Sequence, residues 1–164
     1  MRDALIVGTL CIIAIAAGAW VFLHGSPFAS GDASLPGSVA FSVLAEGTDA
    51  STITDPVNYR LVSKEELSTL WEMLGRTDLP PKVDFEKSEV LAVFDGERAT
   101  GGYSVVIGSV TNTEDTRIVL IRHTVPGKGC MVSEALTHPY ILIEVPKTTL
   151  SLTHTRETVE TSCE

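Results

Sequence analysis

The chain predicts an α+β domain behind an N-terminal transmembrane helix: a mainly antiparallel β-sheet of about seven strands, with barrel-like closure among its options, and one packed α-helix. Three observations predict this. Residues 4–23 are twenty consecutive positions without a charge, and at about 1.5 Å of helical rise each they match a hydrocarbon core roughly 30 Å thick. Residues 63–75 carry the cap and the period of a single amphipathic helix. Beyond Pro80-Pro81, five segments rich in Val, Ile, Leu, Thr and Tyr alternate with turn residues, the spacing of antiparallel meanders.

The apolar run holds Leu5, Ile6, Val7, Leu10, Ile12, Ile13, Ile15, Val21, Phe22 and Leu23, and Trp20 sits near its far end, where interfacial aromatics are favoured. Arg2 precedes the run and the next basic residue is Arg60, so positive charge is expected to keep residues 1–3 cytoplasmic and to place the C-terminal domain outside the cytoplasm. A cleaved signal peptide is the alternative, since Ala17-Gly18-Ala19 offers a small-residue site, but residues 20–23 continue the apolar run past it. Lipid attachment at Cys11 is disfavoured because Leu10 stands where a small residue is needed. A retained anchor is therefore expected, with the protein in the cell membrane as a single-pass species.

Residues 24–37 read HGSPFASGDASLPG, in which Gly, Ser and Pro dominate, and form a flexible linker with little to bury. Residues 38–164 remain, the size of one domain with one core. The net charge is −9, from 12 Lys and Arg against 21 Asp and Glu, and only Arg2 and Asp3 of these precede the linker. That acidity excludes nucleic acid and anionic lipid as natural partners.

Within the domain, residues 41–44 and 59–62 read as short strands joined by the polar stretch 47–56. Ser63 followed by Glu66 is a capping box; Leu67, Leu70, Trp71 and Leu74 then recur on one helical face, and Gly75 ends the helix. The later strands fall at 90–94, 103–110, 117–125, 140–145 and 150–159, separated by turns at Asp95-Gly96, 112–115 and 126–129. Cys130 and Cys163 are an even pair in the exported part, where disulfides persist, and are expected to bond.

Catalytic chemistry is hard to assemble. The four histidines, His24, His123, His138 and His154, lack metal-binding helical spacing, and no cofactor or metal is expected. A hydrolase using Ser104 or His123 is a remote alternative, because Gly102-Tyr103-Ser104 lacks the second glycine of a nucleophile elbow and no orienting partner can be named. Two glycine-bearing loops stand out. In the first, Arg98, Thr100, Gly101, Gly102 and Tyr103 combine backbone freedom with residue types enriched at interface anchors. The second is Pro126-Gly127-Lys128-Gly129. Both are candidate partner-binding loops, and a plain hairpin turn is the competing reading of the first.

The ordered series Val83-Asp84-Phe85, Val90-Leu91-Ala92-Val93-Phe94, Thr100-Gly101-Gly102-Tyr103-Ser104, Pro126-Gly127-Lys128-Gly129-Cys130 and Ala135-Leu136-Thr137-His138-Pro139-Tyr140 resembles the C-terminal domain of the PrcB family, named for a protease-complex subunit. Leu70-Trp71 resembles the segment that precedes this domain in relatives. The resemblance implies a noncatalytic protein-interaction domain, an accessory or stabilising subunit of a cell-envelope protease. Relatives are often lipid-anchored after signal cleavage; the long apolar helix here implies a different anchor in the same location. The T-G-G-Y segment also resembles part of the N-P-T-T-G-Y loop of chagasin-like cysteine-protease inhibitors, without its Asn-Pro, so an inhibitor-like binding module is the alternative function.

Overall fold

Residues 88–94 read Ser-Glu-Val-Leu-Ala-Val-Phe, apolar at five consecutive positions, and such a strand can bury itself only if both faces of its sheet are covered. The computed structural model, which describes residues 37–163, shows both covers. This strand, β3 (Ser88–Phe94), turns Val90, Ala92 and Phe94 toward the helix α1 (Lys64–Met73), and Leu91 and Val93 toward a second sheet. The architecture is three layers: helix, four-stranded sheet, three-stranded sheet.

The other strands are β1 (Ser42–Gly47), β2 (Val57–Leu61), β4 (Ser104–Asn112), β5 (Thr116–Pro126), β6 (Tyr140–Pro146) and β7 (Ser151–Thr161). The central sheet has the order β1-β6-β3-β2, all antiparallel, and the outer sheet has the order β4-β5-β7. Strand β6 shares the double burial of β3: Tyr140 and Leu142 face the helix, while Ile141, Ile143 and Val145 face the outer sheet.

Seven strands and one helix agree with expectation, and two features correct it. The sheet does not close into a barrel, because a barrel needs one interior and one continuous ladder. Here the central sheet has two buried faces, and β1 and β2 each pair on one side only. The strands also do not follow one another as a meander. Strand β5 pairs with β4 in antiparallel fashion but with β7 in parallel, the connection running through β6 in the other sheet. Parallel neighbours need such a crossover, and here a strand of the adjacent layer supplies it.

The helix forms as its sequence dictates. The Ser63 hydroxyl accepts from the Glu66 N–H at 3.2 Å, the Glu66 carboxylate accepts from the Ser63 N–H at 3.2 Å, and Gly75 follows at a φ of 68°. Leu67, Leu70 and Trp71 are buried against the central sheet, and the Trp71 indole N–H donates to the Asp78 carbonyl at 3.0 Å. Trp71 is thus core. The expected transmembrane helix at 4–23, with Trp20, and the linker as far as residue 36 lie outside the described residues. Among the described residues no helix is long and apolar enough to cross a membrane.

Candidate functional site

Side chains two apart on a strand share a face. On the inter-sheet face, β3 and the residue after it present Glu89, Leu91, Val93 and Asp95, and β5 presents Arg117, Val119, Ile121 and His123. The two series meet acid to base at both ends, with aliphatic residues between.

At one end Glu89 is fully buried and Arg117 is 1% exposed. Arg117 Nη1 donates to Glu89 Oε1 at 2.9 Å and to the Pro146 carbonyl at 2.7 Å, and its Nε donates to Asn112 Oδ1 at 2.9 Å. Arg60 on β2 donates to Glu89 Oε2 through Nε at 2.9 Å and Nη2 at 2.7 Å, and also bonds the carbonyls of Thr148 and Leu150. Burial pulls Arg117 below the usual guanidinium value; the Glu89 charge opposes that shift and the Arg60 charge adds to it.

At the other end Asp95 is 3% exposed, with its N–H bonded to the Pro139 carbonyl at 2.9 Å. Arg98 donates to both of its oxygens, at 2.8 and 2.7 Å, and His123 Nδ1 lies 2.7 Å from Oδ1. The Asp95 bond is the main cause holding Arg98 above its ordinary value. The Arg98 guanidinium also lies over the Tyr103 ring, 5.4 Å from its centroid. His123 Nε2 is buried with no hydrogen-bond partner among the described residues.

An aspartate that orients a histidine is two-thirds of a hydrolytic triad, provided a hydroxyl meets the second ring nitrogen. Ser104 is placed elsewhere. In the β4–β5 ladder Val105 stands opposite His123 and is buried between the sheets, so its neighbour Ser104, opposite Thr124, projects from the other face.

The loops that follow this end come together. Arg98 and Thr137 exchange backbone hydrogen bonds at 2.8 and 2.9 Å, the Thr137 hydroxyl donates to the Thr100 carbonyl at 2.8 Å, and the Gly101 N–H donates to the Ser133 carbonyl at 2.9 Å. Gly102 has a φ of 86°, and a Cβ there would stand 2.9 Å from Val132 and 3.1 Å from Pro126. Glycine is required on both counts. The first candidate loop therefore leans on the second, which is closed in turn: the Cys130 N–H donates to the Gly127 carbonyl at 3.1 Å, the Lys128 N–H donates to the Glu160 carboxylate at 3.2 Å, and Cys130 is bonded to Cys163. Beside this joined surface Met131 is wholly exposed and Leu136 is 62% exposed.

The structure thus places all the predicted loop residues on one patch. Arg98 is committed to Asp95 and Tyr103 is half-buried beneath it, so the outward-facing apolar groups are Met131 and Leu136. Sequence reasoning missed these two, and it missed Asp95 as the partner of His123. Parity could have found the latter, because Asp95 follows Leu91 and Val93 at even spacing.

The fold and its polar ends define a layered β-domain whose loops gather at the Asp95 end. The PrcB C-terminal family model matches residues 90–146, the stretch from β3 through β6 that includes both loops. Comparison with characterised proteins and with solved structures finds no match.

Proposed function

We propose that this protein is a noncatalytic, membrane-anchored interaction domain outside the cytoplasm, an accessory subunit that binds and stabilises a cell-envelope protease. The observation that carries this reading is the PrcB C-terminal match over residues 90–146, which coincides with the segment that builds the joined loops. The Cys130–Cys163 disulfide supports an oxidising compartment. Two exposed apolar side chains, Met131 and Leu136, beside a glycine-shaped, internally hydrogen-bonded surface suit a protein partner, since such residues cost solvation unless covered.

The test is crosslinking in intact membranes followed by purification through a tag on this chain. A protease should be recovered, and Met131→Asp with Leu136→Asp should reduce its recovery at least about tenfold, the effect of losing one interface anchor. Proteolytic lifetime in the presence of the purified protein is then measured: a stabiliser lengthens it, whereas an inhibitor lowers turnover. Absence of any protease from the crosslinked species, or equal recovery with the double variant, counts against the proposal.

A further inference from the structure

Strand β7 is unusual in being long while covering almost nothing. Its outer edge pairs with no strand among the described residues, and nine of its eleven side chains are exposed, including every one from Thr155 to Thr161. A strand that buries so little of itself has weak reason to remain ordered. Yet it is held along its whole length: by the parallel ladder to β5, by the Arg122–Glu157 ion pair at 3.0 Å, and by the disulfide just beyond its end. The loop carrying that disulfide approaches from the β5 side. A Cβ on Gly127 would stand 2.2 Å from the Thr161 carbonyl, so glycine permits the approach and the opposite edge stays open.

An open edge is a template for another strand, and proteins that avoid pairing blunt theirs with charge. The charges on β7 do something more specific. Joining two copies by antiparallel extension of the sheet requires a twofold axis perpendicular to it, which keeps every side chain on its own face. Opposed residue numbers must then sum to an even value. An axis at position 156 sets Arg156 against itself, and one at 157 sets Glu157 against itself. An axis at Thr158 sets Arg156 against Glu160 of the second copy, twice, with Thr158 against itself and Thr155 against Thr161. The Arg156 side chain has no hydrogen bond or ion pair among the described residues, while the Glu160 carboxylate accepts only from the Lys128 N–H through one oxygen. The register uses the half of the strand that is bare on both faces.

We infer that β7 is a self-complementary edge through which two copies of this chain pair, antiparallel and centred on Thr158. Opposite charges and threonine pairs across a non-covalent ladder stabilise the register, and like charges disfavour the registers centred on 156 and 157.

The test uses the full-length protein in detergent at concentrations on the order of tens of micromolar, where a weak protein dimer is populated. Sedimentation should show a dimer. R156E should weaken it by roughly tenfold, because two attractive cross-strand pairs become repulsive. R156E with E160R should restore it, since the pair is recreated with its signs exchanged. T158C should form an intermolecular disulfide under mild oxidation, S151C should not, and peptide mapping confirms that Cys130 remains bonded to Cys163. A monomeric wild type, an R156E variant that pairs as tightly as wild type, a charge-swapped double variant that stays monomeric with an unchanged thermal midpoint, or equal crosslinking of S151C overturns the inference. A monomer whose β7 captures an extended peptide overturns it as well, and assigns the edge to a different partner.

Discussion

The inter-sheet core is closed at each end by a buried carboxylate on the same face, Glu89 within β3 and Asp95 just after it, and the two ends are finished differently. Glu89 is met by two arginines, Arg60 and Arg117, from two other strands, which ties the edge of the central sheet, its middle and the outer sheet to one point. Asp95 is met by His123 from the outer sheet and by Arg98, only three residues along its own chain. The first end is a cross-layer clamp of one carboxylate between two guanidinium groups. The second uses its guanidinium locally, in shaping the loop that leads to Tyr103, and meets the other layer with an imidazole whose second nitrogen has no partner among the described residues. Just beyond it, the Cys130–Cys163 bond adds a covalent tie that the first end does not have. The lesson is that cross-layer pairing and loop construction are divided between the ends: the loops are built where the carboxylate's arginine comes from its own chain segment.

Several substitutions would sharpen or break this contrast. The largest effect is expected from Glu89→Ala, which strands Arg117 in the core and removes a partner from Arg60; a loss of about 3–5 kcal/mol in denaturant unfolding is expected for breaking such a pair. A loss under about 1 kcal/mol, the level of an exposed pair, would remove the clamp from the account. Next, Cys163→Ser opens a loop with a sequence separation of 33 residues, and chain entropy predicts a loss of about 3–4 kcal/mol. Double-variant cycles should show this cost to be additive with Glu89→Ala, because the two sit at opposite ends.

Asp95→Asn should cost less, about 1–3 kcal/mol, since Arg98 is partly exposed and can turn to water. The same substitution should reduce partner capture by the folded fraction, whereas Glu89→Ala should leave that fraction's capture intact; equal effects on capture would dissolve the division of labour. The smallest effect concerns His154 on β7. Burial lowers its affinity for a proton relative to the ordinary histidine value of 6.5, with the Arg156 charge adding to the shift. The unfolded chain therefore binds more protons below that value, so stability should be full above about pH 6.5 and decline as pH falls beneath it. Thermal melts of His154→Gln should be flatter across that interval, and identical pH profiles would show that the residue is hydrated in solution.

Much of this architecture was legible in the residues. The helix announced itself through Ser63, Glu66 and the Leu67-Leu70-Trp71-Leu74 stripe, because capping and period are local properties. The disulfide was expected from an even pair of cysteines, Cys130 and Cys163, in the segment read as exported. Strand positions were legible for the same local reason, but partners were not: nothing in residues 151–161 says that β7 runs parallel to β5, since side-chain alternation reports faces and not neighbours. The barrel expectation failed on Val90-Leu91-Ala92-Val93-Phe94, whose unbroken apolarity signals a strand covered on both sides and hence a middle layer. Glu89, Arg117 and Asp95 looked like ordinary polar residues at strand ends. Their shared parity with buried aliphatic residues was the available signal.

Strand β1 touches only β6 within its sheet, with Ser42 opposite Glu144 and Gly47 opposite Tyr140. A chain that emerges N-terminus first, from a ribosome or through a membrane pore, therefore presents β1 long before its neighbour exists. The middle of the central sheet is likewise incomplete until β6 slots between β1 and β3. Such distant pairings close slowly, on the order of milliseconds to seconds in small β-rich domains. Synthesis must reach the end of β6 before the domain can hold its shape. Until then the emerging polypeptide stays pliable enough to be threaded and vulnerable enough to need shielding, and the segment from Tyr140 onward acts as the latch that ends both conditions.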